Sequence, residues 1–244
     1  MLINSYSCLF KLNNNRSLSL LGIIFLFISS ISNCADNSIN LTLKSKEGNL
    51  SKAVDANITE LVLSNADSFY AYSIDGLDKL KKLRKLELVL FPYIEDLGFL
   101  SKCSNLQILI IHSAGNIRSL PSLSWFPKIK HFVISTLPLI ADDPNTYLLN
   151  LKDNPEIEFL QISECNLTLI PNISNVPSSL KYINFAGNKI TSIKGKESTL
   201  TALKKVPFIF LEFNPIKTAD VKGYQNIYID RLFELLPTKM QYTY

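Results

Sequence analysis

Apolar residues recur at every third position along several stretches of the chain. In the segment YIEDLGFLSKCSNLQILII, residues 93–111, they stand at Ile94, Leu97, Leu100, Cys103, Leu106 and Leu109, before the spacing shortens to two at Ile111. An α-helix repeats every 3.6 residues and a strand every two, so a run of threes is typical of neither. A 3-10 turn does have three residues per turn. The pattern therefore predicts extended or 3-10-like arms, each placing one apolar side chain per turn in a core and leading into a short strand.

The strands are predicted by a frame, L-x-x-L-x-L, that occurs seven times. Its copies are ITELVL, LRKLEL, LQILII, IKHFVI, IEFLQI, LKYINF and VPFIFL, which begin at Ile58, Leu83, Leu106, Ile129, Ile157, Leu180 and Val206. Such a periodic frame predicts a repeat architecture, in which no repeat can bury its apolar face alone and stacked neighbours share one core.

In this frame and spacing the chain resembles bacterial leucine-rich repeat proteins, in particular the internalin-like subclass with short convex arms rich in 3-10 turns. The resemblance covers roughly residues 58–217 and implies an α/β leucine-rich repeat solenoid. Such a solenoid has a curved parallel β-sheet on its concave face, short 3-10 or irregular convex arms, and a cap at each end.

The ninth frame position departs from the family, which usually has Asn or Cys there to hydrogen-bond the turn backbone in a ladder. Here the position holds Ala66, Phe91, Ala114, Leu137, Cys165, Asn188 and Asn214. We expect the ladder only in the last three coils. The segment IADDPNTYLLNLKDNPE, residues 140–156, predicts an insertion in the long fourth repeat.

The flanking sequence predicts an export signal and two caps. Lys11 and Arg16 precede the apolar stretch 20–28 and the small polar residues that follow it, which is the order of a signal peptide. We assign residues 1–33 to that signal, 34–57 to an N-terminal cap, 58–217 to about seven repeats and 218–244 to a C-terminal cap. Within the caps, 39–43 predicts a strand and 50–55 a helical turn, while 226–244 predicts an amphipathic helix followed by an edge strand.

The tetrapeptide ISNC, residues 31–34, resembles the lipobox of bacterial lipoproteins, and with Asn33 before the cysteine it is similar to the relaxed form found in spirochaetes. That resemblance implies a lipid on Cys34 and a place in the cell envelope, at the outer membrane or cell surface. Ser30 and Ser32 equally permit ordinary cleavage, which would leave a soluble periplasmic or secreted scaffold. A cytoplasmic regulator with an uncleaved N-terminus is a further alternative.

The residues between the inward-pointing frame leucines should face the concave side and align into columns when the coils stack. The first column would contain Glu60, Lys85, Ile108, His131, Phe159, Tyr182 and Phe208. An exposed aromatic stripe marks an interaction surface. We therefore expect a protein or peptide ligand on this face, bound by Ile108, Ile110, His131, Phe159, Tyr182, Phe208 and Phe210. Alternatively, aromatic residues simply suit strands, or another segment covers them.

Other chemistry finds little support in the sequence. The chain has no H-E-x-x-H or G-x-S-x-G motif, and residues 187–196 have the wrong spacing for a P-loop. Cys103 and Cys165 occupy core positions, and His112 and His131 fall in different columns with no third metal ligand. With 25 Lys and Arg against 21 Asp and Glu, the charge favours no nucleic-acid partner. We expect a monomeric binding protein that is not an enzyme and carries no metal or cofactor.

Overall fold

Each of the seven frames forms a strand. The computed structural model describes residues 37–64, 71–117, 119–137, 148–193 and 197–230. Its strands are, in chain order, β1 (Ser38–Ser45), β2 (Gly48–Asp55), β3 (Glu60–Ser64), β4 (Ala71–Asp75), β5 (Lys85–Val89), β6 (Ile108–His112), β7 (His131–Ser135), β8 (Leu148–Asn150), β9 (Phe159–Ser163), β10 (Asn172–Ser174), β11 (Tyr182–Asn184), β12 (Phe208–Phe210) and β13 (Ile227–Tyr228).

The frame strands pair side by side in one parallel sheet with the order β3-β5-β6-β7-β9-β11-β12, and β13 adds an eighth strand after β12. Equivalent frame positions lie opposite each other, as in the run Leu86, Leu109, Phe132 and Leu160. Strand β7 pairs directly with β9, so the long fourth repeat does not interrupt the sheet. This topology confirms the predicted leucine-rich repeat solenoid.

The period-three arms supply the core from the side opposite the sheet. Ile94, Leu97, Leu100, Cys103 and Leu106 are all buried. Predicted 3-10 turns form at Leu77–Lys79, Gly98–Leu100 and Leu123–Trp125. The later arms also contain the parallel pair β8 and β10 and two short helices, α1 (Glu197–Leu203) and α2 (Thr218–Val221). Each fully buried Leu, Ile or Phe contributes about 1.5–3 kcal/mol, so the stack of arms stabilises the solenoid as a sum of many such terms.

The N-terminal cap, residues 34–57, contributes β1 and β2 to an antiparallel sheet with the order β2-β1-β4, whose third strand lies in the first repeat. Its strand at 39–43 is as predicted, but the helical turn predicted at 50–55 is wrong, because these residues belong to β2. Leu50 and Val54 are both buried, and a spacing of four places two residues on one face of a helix or of a strand alike. In the structure Leu50 pairs with Leu43 and Val54 pairs with Ile39, so these residues form a strand.

The C-terminal cap also differs from the sequence prediction where it can be compared. A helix was expected from residue 226, yet Ile227 and Tyr228 extend the parallel sheet as β13. The remainder of the predicted helix and the edge strand, residues 231–244, lie outside the described residues, as do the signal 1–33 and Cys34.

The asparagine ladder is present in the last coils, as predicted. The Asn188 side chain accepts hydrogen bonds from the backbone N–H of Cys165 and Leu167 and donates to the carbonyl oxygens of Ile162 and Phe185. Asn214 makes the equivalent bonds one coil later, to Ile190, Phe185 and Leu211. At this position the earlier coils carry buried apolar side chains, Phe91, Ala114 and Leu137. Ala66 lies outside the described residues.

The residue just before the ladder position adopts a left-handed backbone in successive coils. The φ values are 59° at Leu90, 57° at Ser113, 56° at Thr136, 54° at Glu164, 68° at Gly187 and 56° at Phe213. In the first five of these coils, the backbone N–H of this residue donates to a carbonyl oxygen of the next coil, for example from Leu90 to His112 at 2.9 Å. The hydrogen bond between coils therefore holds a turn that costs a non-glycine residue about 1–2 kcal/mol.

This turn predicts stability changes of opposite sign at two equivalent positions. Leu90→Gly removes the left-handed penalty and adds the entropy cost of glycine, so we expect about 0.5–1 kcal/mol of stabilisation. Gly187→Ala should destabilise by about 1–2 kcal/mol, because its new Cβ would also lie 2.7 Å from Glu164 Cγ. Urea unfolding midpoints of the two variants measure both effects. A loss of stability in Leu90→Gly would contradict this account of the turn.

Candidate binding surface

Strand register aligns the predicted first column on the concave face. Ile108 lies opposite His131, His131 opposite Phe159, Phe159 opposite Tyr182, and Tyr182 opposite Phe208. The frame leucines and isoleucines between these positions point into the core, so the column residues point away from it. All five side chains therefore lie on one face of the sheet, as the sequence predicted.

The rings of this column contact each other in series. Ring centroids are 6.0 Å apart between His131 and Phe159, 6.5 Å between Phe159 and Tyr182, and 5.1 Å between Tyr182 and Phe208, the last pair being stacked. Such pairs contribute about 0.5–1.5 kcal/mol beyond their area burial. We call these four residues the aromatic column.

A further aromatic side chain, Tyr228, joins the end of the aromatic column. Its ring lies 5.9 Å from Phe208 and 5.8 Å from Phe210, and Phe208 also stacks on Phe210 at 6.4 Å. Tyr228 is absent from the predicted surface because the sequence pattern predicted a helix at this residue. The alternation of Ile227, Tyr228 and Ile229 directly after a turn was the available sign of a strand.

The concave face is more deeply buried than an open sheet face should be. Phe159 and Phe210 are 0% exposed, and Ile110 and Val133 are also buried, which makes a second apolar cluster outside the main core. Ile108, His131, Tyr182 and Phe208 are half-buried. The expected stripe is thus correct in its order and ring contacts, whereas the expected exposure is wrong for Phe159, Phe210 and Ile110. The alternative that another segment covers this face agrees with their burial.

A buried polar strip runs beside the aromatic column. Gln161 Nε2 donates to Ser163 Oγ at 2.8 Å, and Asn184 Nδ2 donates to Gln161 Oε1 at 3.2 Å. The Asn184 Oδ1 accepts from the backbone N–H of Ala186 at 2.9 Å. Glu212, at the far end of this strip, is only 4% exposed. A surface that combines rings with fixed amide groups can pack an apolar side chain and orient a polar one.

The other half of the face, on β3 and β5, is charged instead. Lys85 Nζ lies 3.8 Å from Glu87 Oε2, both half-buried, and Glu60 is exposed. On β6 the face becomes mixed, because His112 Nδ1 lies 2.6 Å from Ser135 Oγ while Ile108 and Ile110 are apolar. The concave face therefore changes from charged to aromatic along the solenoid axis.

The two cysteines within the described residues lie in the core. Cys103 and Cys165 are free and buried. Burial raises the pKa of Cys103 to about 11 and that of Cys165 to about 12, so both thiols are protonated at neutral pH.

Among the described residues, no three side chains of His, Cys, Asp or Glu come close enough together to hold a metal ion. No helix in the described part of the chain has the length and apolar content needed to cross a membrane.

The burial of the concave face predicts that replacing Phe159 lowers the stability of the chain much more than replacing an exposed phenylalanine. Phe159→Ala should destabilise the chain by about 3–5 kcal/mol, as expected for a fully enclosed ring. The matched control, Phe213→Ala, removes the same ring from a site that is 73% exposed and should change stability by less than about 0.5 kcal/mol. Chemical denaturation of both variants gives the two values. Equal, small effects would show that Phe159 is an ordinary surface ring.

Comparisons with known proteins identify similar folds and no matching family. No protein-family model and no curated protein matches the chain. A leucine-rich repeat protein of Leptospira interrogans is 18% identical with a TM-score of 0.47, and the match covers 72% of this chain and 48% of that one. This chain therefore aligns with about half the length of the Leptospira protein.

Two internalins of Listeria monocytogenes are also similar. Internalin C2 is 15% identical with a TM-score of 0.41, covering 72% of this chain and 83% of that protein. The internalin inlF is 17% identical with a TM-score of 0.30, covering 73% and 69%. At these identities the likeness concerns the fold alone. The repeat frame and the parallel strand order of the chain itself make it a leucine-rich repeat solenoid.

Proposed function

We propose that this protein is an exported, lipid-anchored leucine-rich repeat module that binds a protein or peptide through its concave face. The observation that carries the proposal is the aromatic column, in which four rings from four neighbouring strands contact each other in series and three of them, His131, Tyr182 and Phe208, are half-buried. Tyr and other large aromatic side chains dominate the energy of protein interfaces because they bury much area with little loss of side-chain entropy.

The chemistry of the face favours a polypeptide over a small solute. The half-buried members, Ile108, His131, Tyr182 and Phe208, span four different strands. Strands lie about 4.8 Å apart, so this row matches the length of several residues of an extended peptide. The polar strip beside it offers amide groups that can orient a polar side chain of the ligand.

The proposal of export and anchoring is supported by the N-terminal sequence. The basic, apolar and small polar regions of residues 1–33 precede Cys34, in the order of a lipoprotein signal. Two or more acyl chains on Cys34 would give stable membrane attachment, where one alone would be marginal. The ligand would then be sought among cell-surface and envelope proteins. Without the lipid, the same module would act as a soluble periplasmic or secreted scaffold, and without cleavage as a cytoplasmic regulator.

Peptide selection tests the proposed binding face. Peptides selected from a random phage-displayed library against the purified mature chain should lose at least tenfold in affinity when Tyr182 or Phe208 is changed to Ala, a loss of about 1.4 kcal/mol. Tyr93→Ala is the control, because this ring is 43% exposed and lies outside the aromatic column. Fluorescence titration measures the affinities. Selected peptides that bind both column variants as tightly as the unchanged chain would refute the concave-face proposal.

Mass spectrometry tests the anchor. The mature chain should begin at Cys34 with a lipid-sized mass increase and partition into the detergent phase, and Cys34→Ala should lose both properties. Ser32→Thr serves as the control that keeps the cysteine. Cleavage near residue 33 without added mass would indicate the soluble exported scaffold. An uncleaved chain in the cytoplasm would support the cytoplasmic regulator.

A further inference from the structure

Basic side chains gather along one edge of the solenoid, where the strands of the parallel sheet begin. The positions concerned are the two before the first residue of each frame and the one after it. Over the seven coils these positions hold the basic residues Lys81, Lys82, Arg84, Lys128, Lys130, Lys181, Lys204 and Lys205, and the acidic residues Glu156 and Glu158. The whole chain has 25 Lys and Arg against 21 Asp and Glu, so its surplus of positive charge is concentrated on this edge.

Five of these cations form one cluster across β5 to β7. Lys81, Lys82 and Lys128 are exposed, and Arg84 and Lys130 are half-buried. Equivalent positions of successive coils lie in a row, because β5, β6 and β7 pair with their frames in register. Two strand spacings separate β5 from β7, or about 10 Å. We call these five residues the basic edge.

Hydrogen bonds hold the cations of the basic edge in place. Lys128 Nζ donates to Asn105 Oδ1 at 2.9 Å, and Asn105 Nδ2 donates to the carbonyl oxygen of Lys81 at 3.1 Å. Lys81 Nζ donates to the carbonyl oxygen of Asp78 at 2.7 Å, and Arg84 Nη1 donates to that of Lys81 at 3.3 Å. The acceptors in these bonds are uncharged amide and carbonyl oxygens, so the bonds orient the three cations without neutralising them.

The basic edge ends at the next coil along the solenoid. Lys130 Nζ lies 3.6 Å from Glu156 Oε2, and Glu158 follows on the same coil. The strongest positive charge is therefore next to the N-terminal cap, on the second to fourth coils.

The chain enters the described structure at this same edge. The carbonyl oxygen of Asn37 accepts a hydrogen bond from the backbone N–H of Ala56 at 2.9 Å. Ala56 occupies in the first coil the position that Lys81 occupies in the second. The backbone N–H of Arg84 donates to the carbonyl oxygen of Thr59 at 2.7 Å, so the two coils are adjacent at this edge.

We propose that the basic edge docks on an anionic lipid surface, that of the membrane in which Cys34 is anchored. The choice of a membrane rests on the proposed anchor, because Cys34 precedes Asn37 by three residues and three residues span at most about 11 Å. An anchor of that length keeps this edge close to the lipid headgroups, where each Lys or Arg is attracted by anionic lipid. Acyl chains and a basic patch together give a more stable attachment than one chain alone.

Docking by this edge would fix how the solenoid presents its concave face. The strands begin at the basic edge, so they would run away from the membrane surface. The concave face would then open sideways, and the bilayer would leave the aromatic column accessible to a protein or peptide ligand.

Vesicle binding by the unlipidated chain tests the basic edge separately from the anchor. The mature chain from residue 34 with Cys34→Ala should bind vesicles containing phosphatidylglycerol at least about tenfold more tightly than vesicles of phosphatidylcholine alone, and high salt should abolish the difference. The double variant Lys82→Glu, Lys128→Glu should lose at least about tenfold in affinity for the anionic vesicles. Vesicle co-sedimentation measures the affinities.

The matched control is the double variant Lys189→Glu, Lys217→Glu in the same background. Both lysines are exposed and follow the carboxyl ends of β11 and β12, at the opposite edge of the sheet, and the change in net charge is identical. We expect this control to lose less than about threefold, because screening weakens the effect of charges far from the lipid. Equal losses in the two double variants would overturn the proposal, as would equal binding to both kinds of vesicle.

The remaining outcomes separate this docking from the anchor and from other anionic partners. Retention on heparin without binding to anionic vesicles would overturn the docking and identify a soluble polyanion as the partner of the basic edge. A lipid on Cys34 without vesicle binding by the unlipidated chain would overturn the docking and leave the anchor standing. Salt-sensitive vesicle binding that requires Lys82 and Lys128 would support the basic edge even if Cys34 carried no lipid.

Discussion

The sharing of one core by neighbouring coils is the constraint on which the rest of this structure depends. Each arm places an apolar side chain every third residue against the inner side of the sheet, and no coil encloses these side chains alone. Equivalent frame positions must therefore stack, as Ile183 stacks between Leu160 and Ile209. The residues next to them in sequence, Tyr182 and Phe208, are brought into ring contact on the opposite face as a consequence. Core packing thus determines the geometry of the surface that we propose binds a ligand.

Most of the sheet could be predicted from the sequence, because each copy of the frame predicts a strand and the repetition of the frame predicts that the strands lie side by side. The frame predicted the seven strands, and the polar ninth residues predicted which coils carry the asparagine ladder. The left-handed turn was not predicted, since it is held by a hydrogen bond to the next coil and only one of its positions, Gly187, is a glycine. β2 was missed because Leu50 and Val54 fit a helix and a strand equally.

The sequence predicted the order of the side chains along the candidate site, but it did not predict how deeply they are buried. Register alone places His131, Phe159, Tyr182 and Phe208 in a row, so sequence reasoning found them. The burial of Phe159 and Phe210 was not predicted, because a repeat pattern gives the order of side chains on a face and not what packs over them. Tyr228 was missed for a related reason, because β13 follows no frame and is a strand only by pairing with β12.

The resulting concave face combines an accessible and an enclosed part. Charged side chains on β3 and β5 give way to rings and buried amides on β9 to β12. A face of this kind can favour selectivity, since a ligand must match fixed amide groups as well as rings.

Native-state hydrogen exchange of the full chain tests the central claim, the single shared core, most directly. If the coils stack as one body, the backbone amides of β3 to β12 should show continuous protection that declines only toward the ends. In particular, Phe132 on β7 and Leu160 on β9 should exchange with similar free energies, because their strands pair directly across the long fourth repeat. Two blocks that open independently, with a boundary between β7 and β9, would contradict the account.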